Sequence, residues 1–359
     1  MTRKTVVHSL AELQAQVDLQ VSQRIDIGSW QFDGAKNVFN MPDLQDALLN
    51  GVRDVERSAV ESILVERSQR GTTFTIGLTI SYRDTAAQLA FVHAHVQQII
   101  AEQITPTMSM HEQVLVIHDW LVGHFRYDQS RLKTTAYDGF ATGQTVCAGY
   151  AAAFAYLCEA LAIPVRIVSG ESITTKVRHG WNMVCLDGIW YHIDVTWDSP
   201  HSDAPSSHAA YSYYLLSDEE IQRDHRITPE PGESPYPVAR TRYPEFVAAA
   251  MQKRHPASPF LRTISQRIGL IYSEAHHTLI GPAALTDHLL RLYSKRQAHT
   301  IMRYVPTKAG VSADFNQAWQ DASTQFYGVG CSVNLSALPY TRSGSPDDVL
   351  LDITIEWKG

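Results

Sequence analysis

Three residue types that together cleave or exchange amides occur in order along the middle of the chain: Cys147, His179 and Asp194. A thiolate attacks the carbonyl, an imidazole moves the proton, and a carboxylate holds the imidazole in one tautomer. Cys147 opens the run Cys147-Ala-Gly-Tyr150-Ala-Ala-Ala-Phe154-Ala-Tyr-Leu157-Cys158, rich in alanine and apolar residues and preceded by a loop with Gly143. That pattern predicts a helix starting at or beside the cysteine. Free N–H groups and the positive dipole end at a helix start favour a thiolate and could hold an oxyanion. Cys158 lies ~16 Å further along the same helix, too far for a disulfide, and reads as a buried small hydrophobe.

The base and its partner sit in Arg178-His179-Gly-Trp181-Asn-Met-Val-Cys-Leu186-Asp187-Gly188-Ile189-Trp190-Tyr-His192-Ile-Asp194-Val-Thr-Trp197. Asp187-Gly188 between two β-prone runs predicts a two-residue hairpin turn. Pairing Leu186 with Ile189 then sets Trp181 opposite Asp194 and His179 opposite Thr196. His179 and Asp194 become diagonal neighbours on one face, within reach of each other. Trp181 and Trp190 share that face, which argues that it is covered. His192 lies on it too and is a rival base.

The elements around this centre set its frame. Apolar residues are 44% and charged residues 19% of 359, enough to build cores and to exclude general disorder; the length suits two or three domains. Ser9-Leu-Ala-Glu12 opens a helical run, and Ile25 to Phe32, Pro42 to Leu49, Ser62 to Val65 and Phe74 to Tyr82 follow, so residues 1–83 read as an α/β domain. Residues 263–359 repeat the order: Leu285 to Tyr293 helical, His299 to Val305 extended, Ala313 to Ala322 helical, Cys331 to Leu338 extended, and a final alternating strand at 351–357. We expect two related flanking domains. Helical spacing at 84–100 and 109–125 begins the central domain, 84–227, and prolines at 229, 231, 235, 237, 244, 256 and 259 make 228–262 a connector.

Taken together, Tyr137-Asp-Gly-Phe-Ala-Thr-Gly-Gln-Thr-Val-Cys147-Ala-Gly-Tyr-Ala, Gly170, His179-Gly-Trp-Asn-Met-Val and Trp190-Tyr-His-Ile-Asp194-Val-Thr-Trp resemble the transglutaminase-like superfamily of papain-like thiol enzymes, in its bacterial form. Tyr-Leu-Leu-Ser-Asp-Glu-Glu at 214–220 and Asp224-His225 resemble the tail that follows such cores. The resemblance implies an α+β fold in which a helix headed by Cys147 packs on an antiparallel sheet presenting His179 and Asp194. It implies Cys147 as nucleophile, His179 as base and then acid, ahead of His192, and Asp194 as orienter. Tyr137 is a supporting residue by family position, Trp181 by its shared face, and Gln144 by proximity alone.

The expected activity is thiol-dependent acyl transfer on protein or peptide amides through a thioester, with hydrolysis ahead of transamidation. The alternative is a binding scaffold that keeps the fold. No calcium loop, paired Cys-x-x-Cys zinc motif or other metal spacing is present, so no cofactor or metal is expected. A net charge of -7 and no basic face argue against nucleic acid. No apolar run approaches a membrane span. Without a visible leader the expected compartment is the cytoplasm, or outside the cell if a leader has been removed.

Overall fold

The chain begins with a strand, β1 (Thr5–Val7), and a helix, α1 (Leu10–Ser22), that returns it to β2 (Ile27–Asp33). In this computed structural model the described residues are 5–33, 52–70, 73–200, 211–229, 235–253, 255, 257–273, 275–326, 331–339, 345 and 347–357. The helix expected at Pro42 to Leu49 lies outside them. Ser9 caps α1 by accepting from Glu12 N–H at 3.1 Å. Next come α2 (Asp54–Ser58), β3 (Val60–Arg70) and β4 (Thr73–Tyr82). The sheet order is β1-β2-β4-β3, with β1 parallel to β2 and the other pairs antiparallel. Leu13, Val17 and Val21 of α1 bury against Ile76, Leu78 and Ile80 of β4, where helical and alternating spacing meet.

Two capped helices lead into the central layer: α3 (Ala86–Gln103) and α4 (Met110–His124), each with a complete capping box, Thr85 with Gln88 and Ser109 with Glu112. Short α5 (Ala136–Thr142) precedes α6 (Cys147–Ala160). A two-residue strand pair, β5 (Arg126–Tyr127) with β6 (Gln144–Thr145), ties the loops on either side of α5. The alanine run lets α6 be buried from Gly149 to Cys158 while packing closely on β7 (Val165–Ser172) and β8 (Arg178–Leu186). Asn182 of β8 fastens the layers, its amide donating to the Ala151 carbonyl of α6 at 3.0 Å.

The central sheet has the order β10-β7-β8-β9, all antiparallel, where β9 is Ile189–Ile193 and β10 is His225–Ile227. Leu186 pairs with Ile189 as the turn required, and Asp187 (φ 51) and Gly188 (φ 79) both take the left-handed conformation of that turn. The register continues to Asn182–Ile193 and stops. Thr196 is therefore not a strand residue opposite His179; residues 195–198 form a helical turn, α7 (Val195–Asp198), because the Asp194 side chain caps it. This is the mixed helix and sheet arrangement, a cysteine-bearing helix on an antiparallel sheet, that the resemblance implied.

Ion pairs, the Arg24 ones buried, join the first segment to this layer. Arg24, at the end of α1, bonds Glu56 of α2 at 2.6 Å and Asp84 before α3 at 2.6 Å, all under cover. Arg53 reaches Glu159 at the far end of α6 at 2.9 Å, and Asp54 accepts from Arg166 of β7 at 2.7 Å.

Contacts divide the chain into two units, Met1–Asp203 with Asp224–Arg240, and Ala204–Arg223 with Thr241–Gly359. The second begins with the one-turn α8 (Asp218–Ile221), capped by Ser217 and Glu220. The proline-rich stretch expected to be a connector carries two helices, α9 (Tyr243–Gln252) and α10 (Ser258–Arg267). Pro244 and Pro259 stand in their first turns, where a missing N–H breaks no helical bond. Then follow β11 (Thr278–Ile280), α11 (Gly281–Ser294), β12 (His299–Val305), α12 (Val311–Ser323), β13 (Cys331–Pro339) and β14 (Val349–Trp357). Their sheet order, β11-β12-β14-β13 with only the first pair parallel, matches that of the N-terminal sheet. The three-residue strands that start each sheet are too short for periodicity to reveal.

Candidate active site

Cys147 is the first residue of α6 and half-exposed, while the turn behind it is packed tight. The chain before it is held by Val146 N–H donating to the Lys133 carbonyl at 3.0 Å and by the Thr145 hydroxyl between the carbonyls of Lys133 and Thr135. No side chain caps the helix, so its first turn faces the cleft without a competing oxygen from Val146.

Across from it, His179 leaves β8 with its ring buried. Its Nε2 donates to Asp194 Oδ2 at 2.6 Å, which leaves its other ring nitrogen for a second partner, and Cys147 shares its cleft. Burial disfavours the imidazolium. The Asp194 charge and hydrogen bond, with a smaller contribution from Cys147, outweigh that, and His179 titrates well above the ordinary imidazole range.

Asp194 is fully buried and held at both oxygens. Oδ1 accepts from the backbone N–H groups of Thr196 and Trp197 at 3.0 and 3.1 Å; Oδ2 takes His179 and, at 3.1 Å, Nε2 of His225. Burial raises a carboxyl's pKa, but the charge and hydrogen bond of His179 and then the bond from His225 carry Asp194 below the usual carboxylate range. His225 in turn bonds Asp224 Oδ1 through Nδ1 at 2.6 Å. Metal-type atoms of His179, Asp194 and His225 all lie within 4.8 Å of one another. Two ligands at ~2.0–2.1 Å from one ion sit about 3 Å or more apart, so the 2.6 Å His179–Asp194 distance is that of a hydrogen bond.

Aromatic rings set the imidazole plane. Trp197 stacks on His179 with centroids 4.9 Å apart, and Trp181 lies near-parallel at 6.0 Å. The Trp181 indole N–H donates to His192 Nδ1 at 3.0 Å, so the rival base is engaged by Trp181. Gly170, paired with His179 across β7 and β8, leaves room for the indole; a Cβ there would lie 2.5 Å from Trp181 and 2.3 Å from the Arg226 carbonyl. Neither Trp197 nor His225 follows from the hairpin pattern. The signal that could have found His225 is Asp224-His225 itself, a carboxylate beside an imidazole just past the core.

Cys147 and His179 open on a cleft of about 580 Å³. Its other wall comes from the first segment: Arg57 of α2, Glu61 to Ile63 of β3, and Arg83. Tyr137 and Gln144 do not line it. Tyr137 packs edge-on to Phe91 at 5.3 Å, and Gln144 is exposed with its Oε1 accepting from Lys133 at 2.7 Å. Cys158 is fully buried and Cys185 half-exposed, and burial raises the pKa of both thiols.

A second imidazole cluster lies beneath the same turn. Buried His118 of α4 bonds Asp198 of α7 at 3.0 Å through Nε2 and Asp119 at 3.1 Å through Nδ1. Burial opposes its charge, yet the two carboxylates raise its pKa.

Residues 96–195 match the family described as the transglutaminase-like superfamily. Over 224 residues, 55% of this chain, the sequence is 23% identical to the kyphoscoliosis peptidase of Mus musculus and 22% identical to that of Homo sapiens. The chain spans about a third of those proteins, 34% of each. Among solved structures it is similar to a Cytophaga hutchinsonii protein proposed to be a cysteine protease (18% identity, 38% of this chain and 65% of that one, TM-score 0.27). It is also similar to a TGase (14% identity, 58% and 62%, TM-score 0.29).

Proposed function

With residues 96–195 matching the transglutaminase-like superfamily, we propose that this chain carries out thiol-dependent acyl transfer on protein or peptide amides, chiefly hydrolysis. One observation carries the reading: a half-exposed thiol at a helix start opens on the same cleft as a buried imidazole, whose Nε2 is held at 2.6 Å by a buried carboxylate.

In this reading the Cys147 sulfur attacks the amide carbonyl carbon, and the C–N bond breaks as His179 gives its proton to the departing amine. The resulting thioester is resolved by water, which His179 deprotonates, releasing a carboxylic acid and the thiol. An amine arriving before water would give transamidation by the same route. The first-turn N–H groups of α6 would stabilise the oxyanion. Asp194 holds the imidazole and balances its charge. His225, donating to the same carboxylate oxygen, acts as a positioning residue, as do Trp181 and Trp197 on the ring faces. Tyr137 and Gln144 would act at a distance from the thiol, through the α5 region and the loop before it.

The test is incubation with a glutamine-containing peptide and a labelled primary amine, read by mass spectrometry. Peptide cleavage or conversion of the side-chain amide to acid marks hydrolysis, and amine incorporation marks transamidation. Neither product, together with a Cys147 no more reactive to alkylation than Cys185, would leave a binding scaffold.

A further inference from the structure

The first and last sheets share one strand order, so their helix and second strand can be compared position by position. In α1 the buried residues include Leu13, Val17 and Gln20; in α11 Leu285, Leu289 and Leu292 are buried at the same spacing. β2 and β12 are both seven residues long, and the fourth residue of each, Trp30 and Met302, lies in its core. On this alignment Gly28 matches Thr300, and Leu19 matches Arg291.

The two copies differ in how this place is filled. In the first sheet the Trp30 indole folds over Gly28, where an added Cβ would fall 2.3 Å from Cη2 of the ring. In the second sheet threonine stands at 300 and a slender thioether at 302, and a cavity of about 590 Å³ opens beside them. Tyr272, His277, His288 and Arg291 line it together with Leu279 and Ile301. The volume is in the range of small-molecule sites, which pair an apolar lining with a few polar groups.

The polar groups here lack partners. Nδ1 of His277 and Nε2 of His288 are buried without a hydrogen bond, and a polar atom left in that condition weakens the fold unless something from outside the chain meets it. Burial, and then the charge of Arg291, push His288 down to about 4, so at neutral pH its ring is uncharged and keeps a lone pair with which to accept. Arg291 is exposed and, among the described residues, makes no ion pair or side-chain hydrogen bond. Asp352, whose charge adds to burial in raising Tyr272, is already bonded to His299 at 2.9 Å. The guanidinium beside His288 repels a metal ion and suits a carboxylate, whose two oxygens match its planar fork.

We infer that this cavity binds a small planar aromatic carboxylate, its ring in the place that Trp30 fills in the first sheet, a ring N–H on the imidazole of His277 or His288, and its carboxylate on Arg291. Every lining residue belongs to the second unit, so the inference stands apart from the chemistry at Cys147.

Indole-3-acetate, indole and acetate test its parts. In calorimetric titration of the whole chain, indole-3-acetate should bind about tenfold tighter than either fragment. Arg291→Gln should weaken indole-3-acetate about tenfold, the loss of a charge-assisted contact, and leave indole within about twofold. Thr300→Gly combined with Met302→Trp rebuilds the Gly28 and Trp30 arrangement and should abolish binding of both ring compounds. In histidine-labelled protein the C2–H resonances of His277 and His288, identified by their loss in His277→Gln and His288→Gln, should move during titration while that of His179 stays. Equal affinity for indole-3-acetate and either fragment overturns the inference, as does an affinity unmoved by Arg291→Gln or kept by a folded double variant. Shifts confined to other histidines, or no saturable binding at millimolar concentration, overturn it as well.

Discussion

His179 and His118 are both buried imidazoles bonded to aspartate, on opposite ends of the same four-residue turn, and they differ in what meets the second ring nitrogen. His118 has a carboxylate at each nitrogen, Asp198 and Asp119, so its protons have nowhere to go and the ring is a cationic rivet. His179 has a carboxylate at Nε2 and opens, with the Cys147 thiol, on a cleft. In the proposed chemistry, identical side chains become a clamp or a proton carrier according to one neighbour. His225, with Asp224 and Asp194 at its two nitrogens, is wired like the clamp yet shares its carboxylate with the carrier.

That contrast can be broken by mutation. The largest effect belongs to the open side: Cys147→Ala and His179→Ala should each lower turnover of an amide substrate by about 10⁵-fold or more, with little change in thermal melting. If His192→Ala proves the more damaging of the histidine variants, the open imidazole has been misassigned. Asp194→Asn should follow, at roughly 10³–10⁴-fold on kcat, since the amide cannot hold the same tautomer; retention of near-normal kcat would show that the carboxylate serves the fold alone.

The closed side should fail differently. His118→Gln leaves the covered Asp198 carboxylate and the partly exposed Asp119 without their cation, a loss of about 3 kcal/mol by analogy with broken buried pairs, read in urea unfolding. Activity per folded molecule should stay within a few-fold. The pH dependence has a definite sign: His118 is raised when folded, so its contribution is fully present below about pH 6.5, the unfolded value, and is lost as pH climbs through the folded value. The stability gap between wild type and His118→Gln should therefore be widest at pH 5–6 and narrow in alkaline buffer. A gap that widens upward would mean the ring is held neutral.

His225→Gln should be the mildest, about tenfold on kcat with KM unchanged. It should also change the pH profile of kcat, because Asp194 loses one of its two imidazole donors, whereas a purely packing role would lower stability and leave the profile in place.

Much of this arrangement was legible in the residues because its parts are local. The Asp187-Gly188 turn dictates the hairpin register, and alanine-rich spacing dictates the helix that Cys147 heads. The register argument overran at Asp194, where a carboxylate that caps a helical turn ends the strand; strand alternation carries no mark of a cap. The match of β1-β2-β4-β3 with β11-β12-β14-β13 was visible as element order, though not as parallel pairing, since three-residue strands lack a period. His225 and Trp197 reach the site only through tertiary packing, and the β3 wall comes from more than eighty residues upstream of Cys147. The proline-rich stretch misled for a reason of position: proline forbids a helix interior, and at Pro244 and Pro259 it stands at helix starts.

The Arg24 cluster bears on how the chain could be shortened. Its guanidinium grips one carboxylate on each side of β3 and β4, Glu56 and Asp84. A truncated version starting at residue 84 would keep an orphaned acid, bare the α2-facing flank of α6 and lose one wall of the cleft. The segment ahead of the thiol domain is in that sense masonry of the working site, and excising it should yield a poorly soluble remnant instead of a minimal enzyme.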